Sequence, residues 1–207
     1  GNGYLLSSLF QEEELSKLTN NISEIVNINY IEDFKSNIDK LNGYLEAKKN
    51  IPDPMVNYMI PYLLDFTGRF KGIDSTGKLQ LALAEWYFDN KRYAQGYICL
   101  VEAVISRFLE MYRRKDKSIK WTVDNREKIK DFLREELQNH DKYGIVFDIY
   151  KKINYIRNTI AHAGYYKNNK DFEEDIKNAY HHLNNVKKYV FNDSFISEIV
   201  QNYPFNK

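Results

Sequence analysis

From Tyr97 to Tyr112 the apolar residues Tyr97, Leu100, Val101, Val104, Ile105, Phe108 and Tyr112 return at steps of three and four. That period puts them on one side of an α-helix, predicted over about 93–113. Similar stripes recur along the chain: Leu79, Leu83, Trp86 and Tyr87, ending near Asp89-Asn90; Ile145, Ile149, Ile153, Ile156 and Ile160; and Phe172, Ile176, Ala179, Leu183, Val186 and Val190. No segment alternates apolar and polar residues as a half-buried strand requires. The predicted class is therefore all-α, a bundle of several antiparallel helices.

Local signals place the element ends. Asp124, with Glu127 three residues on, has the spacing of a capping box and predicts a helix over about 125–139. The Pro52-Asp53-Pro54 segment sets off an N-terminal helical region (residues 1–50, helices near 5–20 and 31–49) from a larger domain over 51–207. Pro61 is expected to bend or interrupt the segment that follows. Gly72 to Lys78 has the G-x-x-x-x-G-K spacing of a phosphate loop, but Leu79 stands where a Ser or Thr would hold magnesium and no strand precedes it. A turn before the Leu79 helix is the better reading.

Composition narrows the function. Thirty basic residues against 29 acidic give a formal charge of +1 over 207 residues, which argues against a polybasic nucleic-acid coat but not against a local basic groove. The single cysteine, Cys99, excludes an internal disulfide and a cysteine-rich zinc site; it reads as a small core residue in a cytoplasmic protein. No run of about 18 uncharged apolar residues is present, so no membrane span is expected. Gly1-Asn2-Gly3 has neither an initiator Met nor a signal-peptide core and reads as a cloning scar or an internal cut.

The most specific chemistry lies at Arg157-Asn158-Thr159-Ile160-Ala161-His162-Ala163-Gly164, at the end of the isoleucine-striped helix. Arg157 falls beside the stripe, and His162 lies about 140° around from it on the last turn. One copy thus holds the two groups on different sides of a helix. Two copies across a twofold axis can gather two Arg and two His around one cleft. These residue types suit cleavage of RNA, whose 2′-hydroxyl is a built-in nucleophile needing a base, a stabiliser of phosphorane charge and an acid. Histidine titrates near neutrality and can take or give a proton. Arginine stays charged and matches phosphate oxygens with a planar fork. Asn158 is expected to orient either group or to touch RNA. Neither a metal nor another cofactor is expected.

Arg157-Asn158 through His162 resembles the R-N-x-x-x-H signature of HEPN (higher eukaryotes and prokaryotes nucleotide-binding) domains. The Leu79–Glu102 stretch, with Ala84-Glu85-Trp86-Tyr87, Gln95 and Glu102-Ala103, resembles the helical half of CRISPR-associated CARF–HEPN ribonucleases of the DxTHG branch. The resemblance covers roughly residues 55–190. It implies a HEPN-like helical bundle and a homodimer whose paired Arg157 and His162 form one site. It also implies metal-independent cleavage of single-stranded RNA to 2′,3′-cyclic phosphate and 5′-hydroxyl ends. In such proteins an N-terminal sensor domain binds cyclic oligoadenylate. This sequence has no DxTHG and no strand-rich half, so either the chain is a nuclease fragment lacking that domain or its control differs, and binding of the activator by the chain itself is not expected.

Between Arg107 and Arg134 ten basic residues stand against five acidic ones. Within this run Arg113, Arg114, Lys120 and Trp121 are candidate RNA contacts, the tryptophan as a stacking surface for a base. A solvated loop and helix face would have the same composition. Adjacent His181 and His182 point about 100° apart on a helix and cannot chelate together; one is expected at the core edge and the other in water. His140 is expected as a cap or an exposed residue. Two other readings of the motif stand beside the nuclease. One is the toxin of a HEPN/nucleotidyltransferase pair, whose R-x4-H-x-Y pattern Tyr165 misses by one position. The other is a non-catalytic helical dimerisation or binding module in which Arg157 holds a carboxylate such as Glu102 or Asp148.

Overall fold

The computed structural model of the chain describes residues 12–28, 30–48, 53–138, 140–162 and 172–205, and among them there is no strand. The all-α expectation holds: the helices are α1 (Glu13–Ile28), α2 (Ile31–Ala47), α3 (Pro54–Gly68), α4 (Thr76–Asp89), α5 (Tyr93–Lys115), α6 (Val123–Glu135), α7 (Gly144–Ala161), α8 (Phe172–Lys177), α9 (Ala179–Asn185) and α10 (Asp193–Asn202), with a π-helical turn at Val186–Val190. They form two compact units, residues 1–73 and 74–207. The proline-marked division after residue 50 would have placed α3 with the C-terminal helices; it belongs to the N-terminal unit.

In the first unit Leu15, Leu18, Ile22 and Val26 of α1 are buried, as are Phe34, Ile38, Leu41 and Leu45 of α2. Phe34, Phe66 and Phe70 close the α2–α3 contact with ring centroids 4.9–6.5 Å apart. Asp53 caps α3 by accepting from the Met55 and Val56 amides, with Pro54 in the first turn. The helix near 5–20 is found as Glu13–Ile28; residues 1–11 lie outside the described residues. Pro61 neither ends nor interrupts α3. It sits on the exposed side, while Val56 and Leu63 on either side of it are buried and hold the helix in place.

The second unit is built around α5, whose 14 buried residues span its whole length. Helix α4 lies along it so closely that a Cβ on Gly77 would stand 3.1 Å from the Arg107 amide nitrogen and 3.3 Å from the Ala103 carbonyl oxygen. The Gly72–Lys78 segment is the expected turn, with Gly72 at φ 73° and Ser75 capping α4 through the Lys78 amide at 3.1 Å. Helices α6, α7 and α10 pack on other sides of α5.

Several local expectations shift. Thr122, not Asp124, caps α6, accepting from the Asn125 amide at 3.2 Å; Glu127 instead takes Lys130 at 2.6 Å. The isoleucine stripe of α7 is buried at Ile149, Ile153 and Ile156, whereas Ile145, in the first turn, is exposed. The third stripe is not one helix but α8, α9 and the π-helical turn, with Ala179, Leu183, Val186 and Val190 buried and Ile176 exposed. Cys99 is fully buried, as expected. His182 is buried with Nδ1 2.9 Å from the Tyr97 hydroxyl, while His181 is exposed beside Asn185. His140 Nδ1 accepts from the Lys142 and Tyr143 amides, both at 3.2 Å, at the entry to α7.

Candidate active site

Three helices of the second unit converge on one carboxylate. Glu102 of α5 accepts a short charge-assisted hydrogen bond at Oε2 from Arg126 Nη2 of α6. Its Oε1 lies 3.8 Å from Arg157 Nη2 of α7. Arg126 also reaches Ser106 Oγ at 3.2 Å, one turn further along α5. Arg157 Nη1 donates to Asn158 Oδ1 at 2.8 Å, which fixes the plane of its guanidinium fork. Two guanidiniums thus share one carboxylate, and the surplus positive charge favours an anion there.

Local sequence sets this geometry. Val146, Phe147, Ile149, Tyr150, Ile153 and Ile156 bury one face of α7 against the core. Arg157, next after Ile156, emerges at the rim with its side chain 28% exposed, and Glu102 faces it at 23%. The helix closes at Ala161. His162 is its C-terminal cap, exposed, with its amide donating to the Asn158 carbonyl at 3.0 Å. Asn158 thereby contacts both residues, its side chain accepting from Arg157 and its carbonyl from the His162 amide in the helix's last backbone hydrogen bond. Beneath them the Tyr150 hydroxyl is buried without a hydrogen-bond partner. Burial pushes it up to about 12, with Arg134, Glu102, Arg157 and Glu127 as the surrounding charges.

The basic run divides by role. Arg107 is 0% exposed and ion-paired to Asp193, with its guanidinium carbon 5.6 Å from the Phe191 ring; it is a core residue, not part of a solvated face. Arg126 is committed to Glu102 and Ser106. Arg113, Arg114 and Trp121 line a cavity of about 270 Å³ together with Lys117, Asp74 and Glu110. Lys120 is exposed and does not line it. Among the described residues no group of three His, Cys, Asp or Glu side chains could hold a metal ion, and no helix is long and apolar enough to cross a membrane.

Sequence spacing named Arg157, Asn158 and His162 but not Arg126, Ser106 or Tyr150. The available signal was the polar pair Glu102 and Ser106, four residues apart on a helix otherwise buried as apolar core. Tyr165 and Gly164 lie outside the described residues.

Comparison with known proteins adds a context. Residues 1–75 match the family described as CRISPR-associated protein MJ1674, second domain. That match ends beside the boundary between the two compact units. Over 207 aligned positions, 97% of this chain, the sequence is 31% identical to CRISPR-associated protein MJ1674 of Methanocaldococcus jannaschii. The chain spans about a third (32%) of that relative's length. No solved structure matches this chain.

Proposed function

We propose that the chain is the endoribonuclease part of a CRISPR-associated protein, cutting single-stranded RNA without a metal at a site shared by two copies. The observation that carries this reading is the end of α7. There Arg157 is oriented by Asn158 and only loosely held by Glu102, and the exposed His162 follows on the same helix end. A histidine there takes the 2′-hydroxyl proton as the 2′-oxygen bonds to phosphorus. The phosphorus–O5′ bond then breaks and the leaving oxygen takes a proton from the second histidine. Arg157 stabilises charge on the non-bridging oxygens. The resemblance to HEPN ribonucleases and the similarity to a CRISPR-associated protein support the same reading. A sensor domain binding cyclic oligoadenylate belongs to this proposal as a partner outside the chain.

The test is incubation of labelled single-stranded RNA in excess EDTA with the wild-type chain, Arg157→Ala, His162→Ala and the double variant. Cleavage by the wild type alone, leaving a cyclic phosphate, is expected. Equal cleavage by the variants would remove these side chains from the chemistry. A second reading, a non-catalytic module, draws on the Glu102–Arg157 contact. It predicts that Arg157→Ala lowers stability and that no preparation cuts RNA.

A further inference from the structure

The cavity at the C-terminal end of α5 has the composition of a nucleotide site. Arg113 is held by its own Nε, which donates to the Ile119 carbonyl at 2.8 Å, and its guanidinium carbon lies 5.5 Å from the Trp121 ring centroid. Trp121, 39% exposed, lines the cavity beside it. Arg114, whose Nη1 lies 3.6 Å from Asp193 Oδ2, and the exposed Lys117 bring two more cations to the same space. Of the two carboxylates there, Glu110 is occupied: it accepts from the Gly77 amide at 2.9 Å and from Ser75 Oγ at 2.7 Å. At about 270 Å³ the cavity falls just below pockets that enclose a whole small molecule, roughly 300–1,000 Å³. That scale suits one base with its sugar-phosphate.

Position relative to Arg157 gives the cavity its meaning. Glu102 and Arg113 are eleven residues apart on α5, which brings them within about 20° of the same face and about 16 Å apart along the axis. Arg126, touching both Glu102 and Ser106, lies on that side as well. We infer that the Arg113–Trp121 cavity takes an unpaired nucleotide of the same RNA strand that reaches Arg157, stacking its base on Trp121 and holding its phosphate with Arg114 and Lys117. The inference rests on the ribonuclease reading for the identity of the strand. A tryptophan face stacks on any base, so this site fixes where the strand lies rather than which sequence is chosen.

The experiment is equilibrium binding of a fluorescent, fully 2′-O-methylated RNA decamer to the whole 207-residue chain across a salt series. Methylation removes the nucleophile, so cleavage cannot distort the measurement. Trp121→Ala is expected to weaken binding about tenfold at every salt concentration with the salt slope unchanged, and Trp121→Phe to restore most of it. Lys117→Ala is expected to reduce the salt slope by about 0.7. Binding within twofold of wild type by Trp121→Ala, or no binding by the wild type, overturns the proposal. Equal affinity for a nucleoside monophosphate, or equal competition by an acidic decapeptide, overturns the assignment to an RNA strand. If Trp121→Ala loses affinity but no preparation cuts RNA, the cavity stands and the nuclease reading fails. Cleavage with an indifferent Trp121 gives the reverse.

Discussion

Glu102→Gln separates the two cations that share this carboxylate, because it keeps the shape and removes the charge. The two contacts differ in kind. Arg126 makes a charge-assisted hydrogen bond between side chains only 24% and 23% exposed. Such bonds contribute about 1.5–3 kcal/mol against roughly 0.5–1.5 for neutral ones, so neutralising the acceptor costs about 1–1.5 kcal/mol. Arg157 at 3.8 Å is beyond hydrogen-bond length and contributes as an ion pair alone, about 0.2–1 kcal/mol. The expected loss is about 1.2–2.5 kcal/mol, or about 2–10 °C in the melting temperature of a domain this size. Thermal melts of Glu102→Gln, Arg126→Met, Arg157→Met and the two double variants give the couplings directly. Coupling of Glu102 to Arg126 should exceed its coupling to Arg157. Because Asn158 still orients Arg157, Glu102→Gln should keep cleavage within about tenfold of wild type, a 1.4 kcal/mol loss, while Arg157→Ala abolishes it. A larger coupling to Arg157 would refute the reasoning. So would a Glu102→Gln protein that melts like wild type yet cuts no RNA, since the carboxylate would then act in the chemistry.

Three further outcomes follow from the packing. Gly96→Ala would put a Cβ 2.3 Å from Cε1 of the buried Phe88, and should cost about 1–3 kcal/mol by overpacking, read as a lower denaturant midpoint. His182, 8% exposed, is pushed down to about 4 chiefly by burial, with Lys152 next. Its stabilising contribution is therefore complete above the unfolded value of about 6.5 and falls as pH drops towards 4, where the unfolded chain takes a proton the folded one refuses. The loss is about 2–3 kcal/mol, and urea titrations of His182→Gln over that window should lack it. Arg107 is buried with Nε and Nη1 unbonded, so Arg107→Met should change stability by less than about 1 kcal/mol, whereas Asp193→Ala, which strands the charge, should lose about 1–3 kcal/mol in chemical denaturation.

What could be read from sequence is what lies within a turn or two of itself. The stripes of α4 and α5 were legible because burial and period coincide over many residues. Arg157 and Asn158 were legible as a pair because their contact joins neighbours. The α6 cap was misread because Asp124 with Glu127 and Thr122 with Asn125 offer competing local geometries, and only the second forms. Pro61 misled because the rule for an isolated helix omits the buried residues that flank it. Arg107 had no local signal at all: its partner Asp193 is 86 residues away. Arg126 likewise meets Glu102 across 24 residues, and only the packing of α6 on α5 brings them together.

The near-zero net charge of the chain says little about its affinity for anions, because around α5 the carboxylates are already committed. Glu102 serves Arg126 and Arg157, Glu110 serves Ser75 and the Gly77 amide, and Asp193 serves Arg107 and Arg114. Each acidic residue cancels charge in the overall count while acting locally as a structural anchor. The cations they hold are oriented rather than lost. Arg126 and Arg157 outnumber the Glu102 they share, and Arg113, Arg114 and Lys117 outnumber the Asp74 and Glu110 that line their cavity. A strand of phosphates would meet that uneven distribution, not the average. The same arrangement explains why the two kinds of arginine should respond oppositely to substitution. On the ribonuclease reading, loss of Arg126 should be felt first as instability and loss of Arg157 first as lost phosphate binding, although both touch one carboxylate.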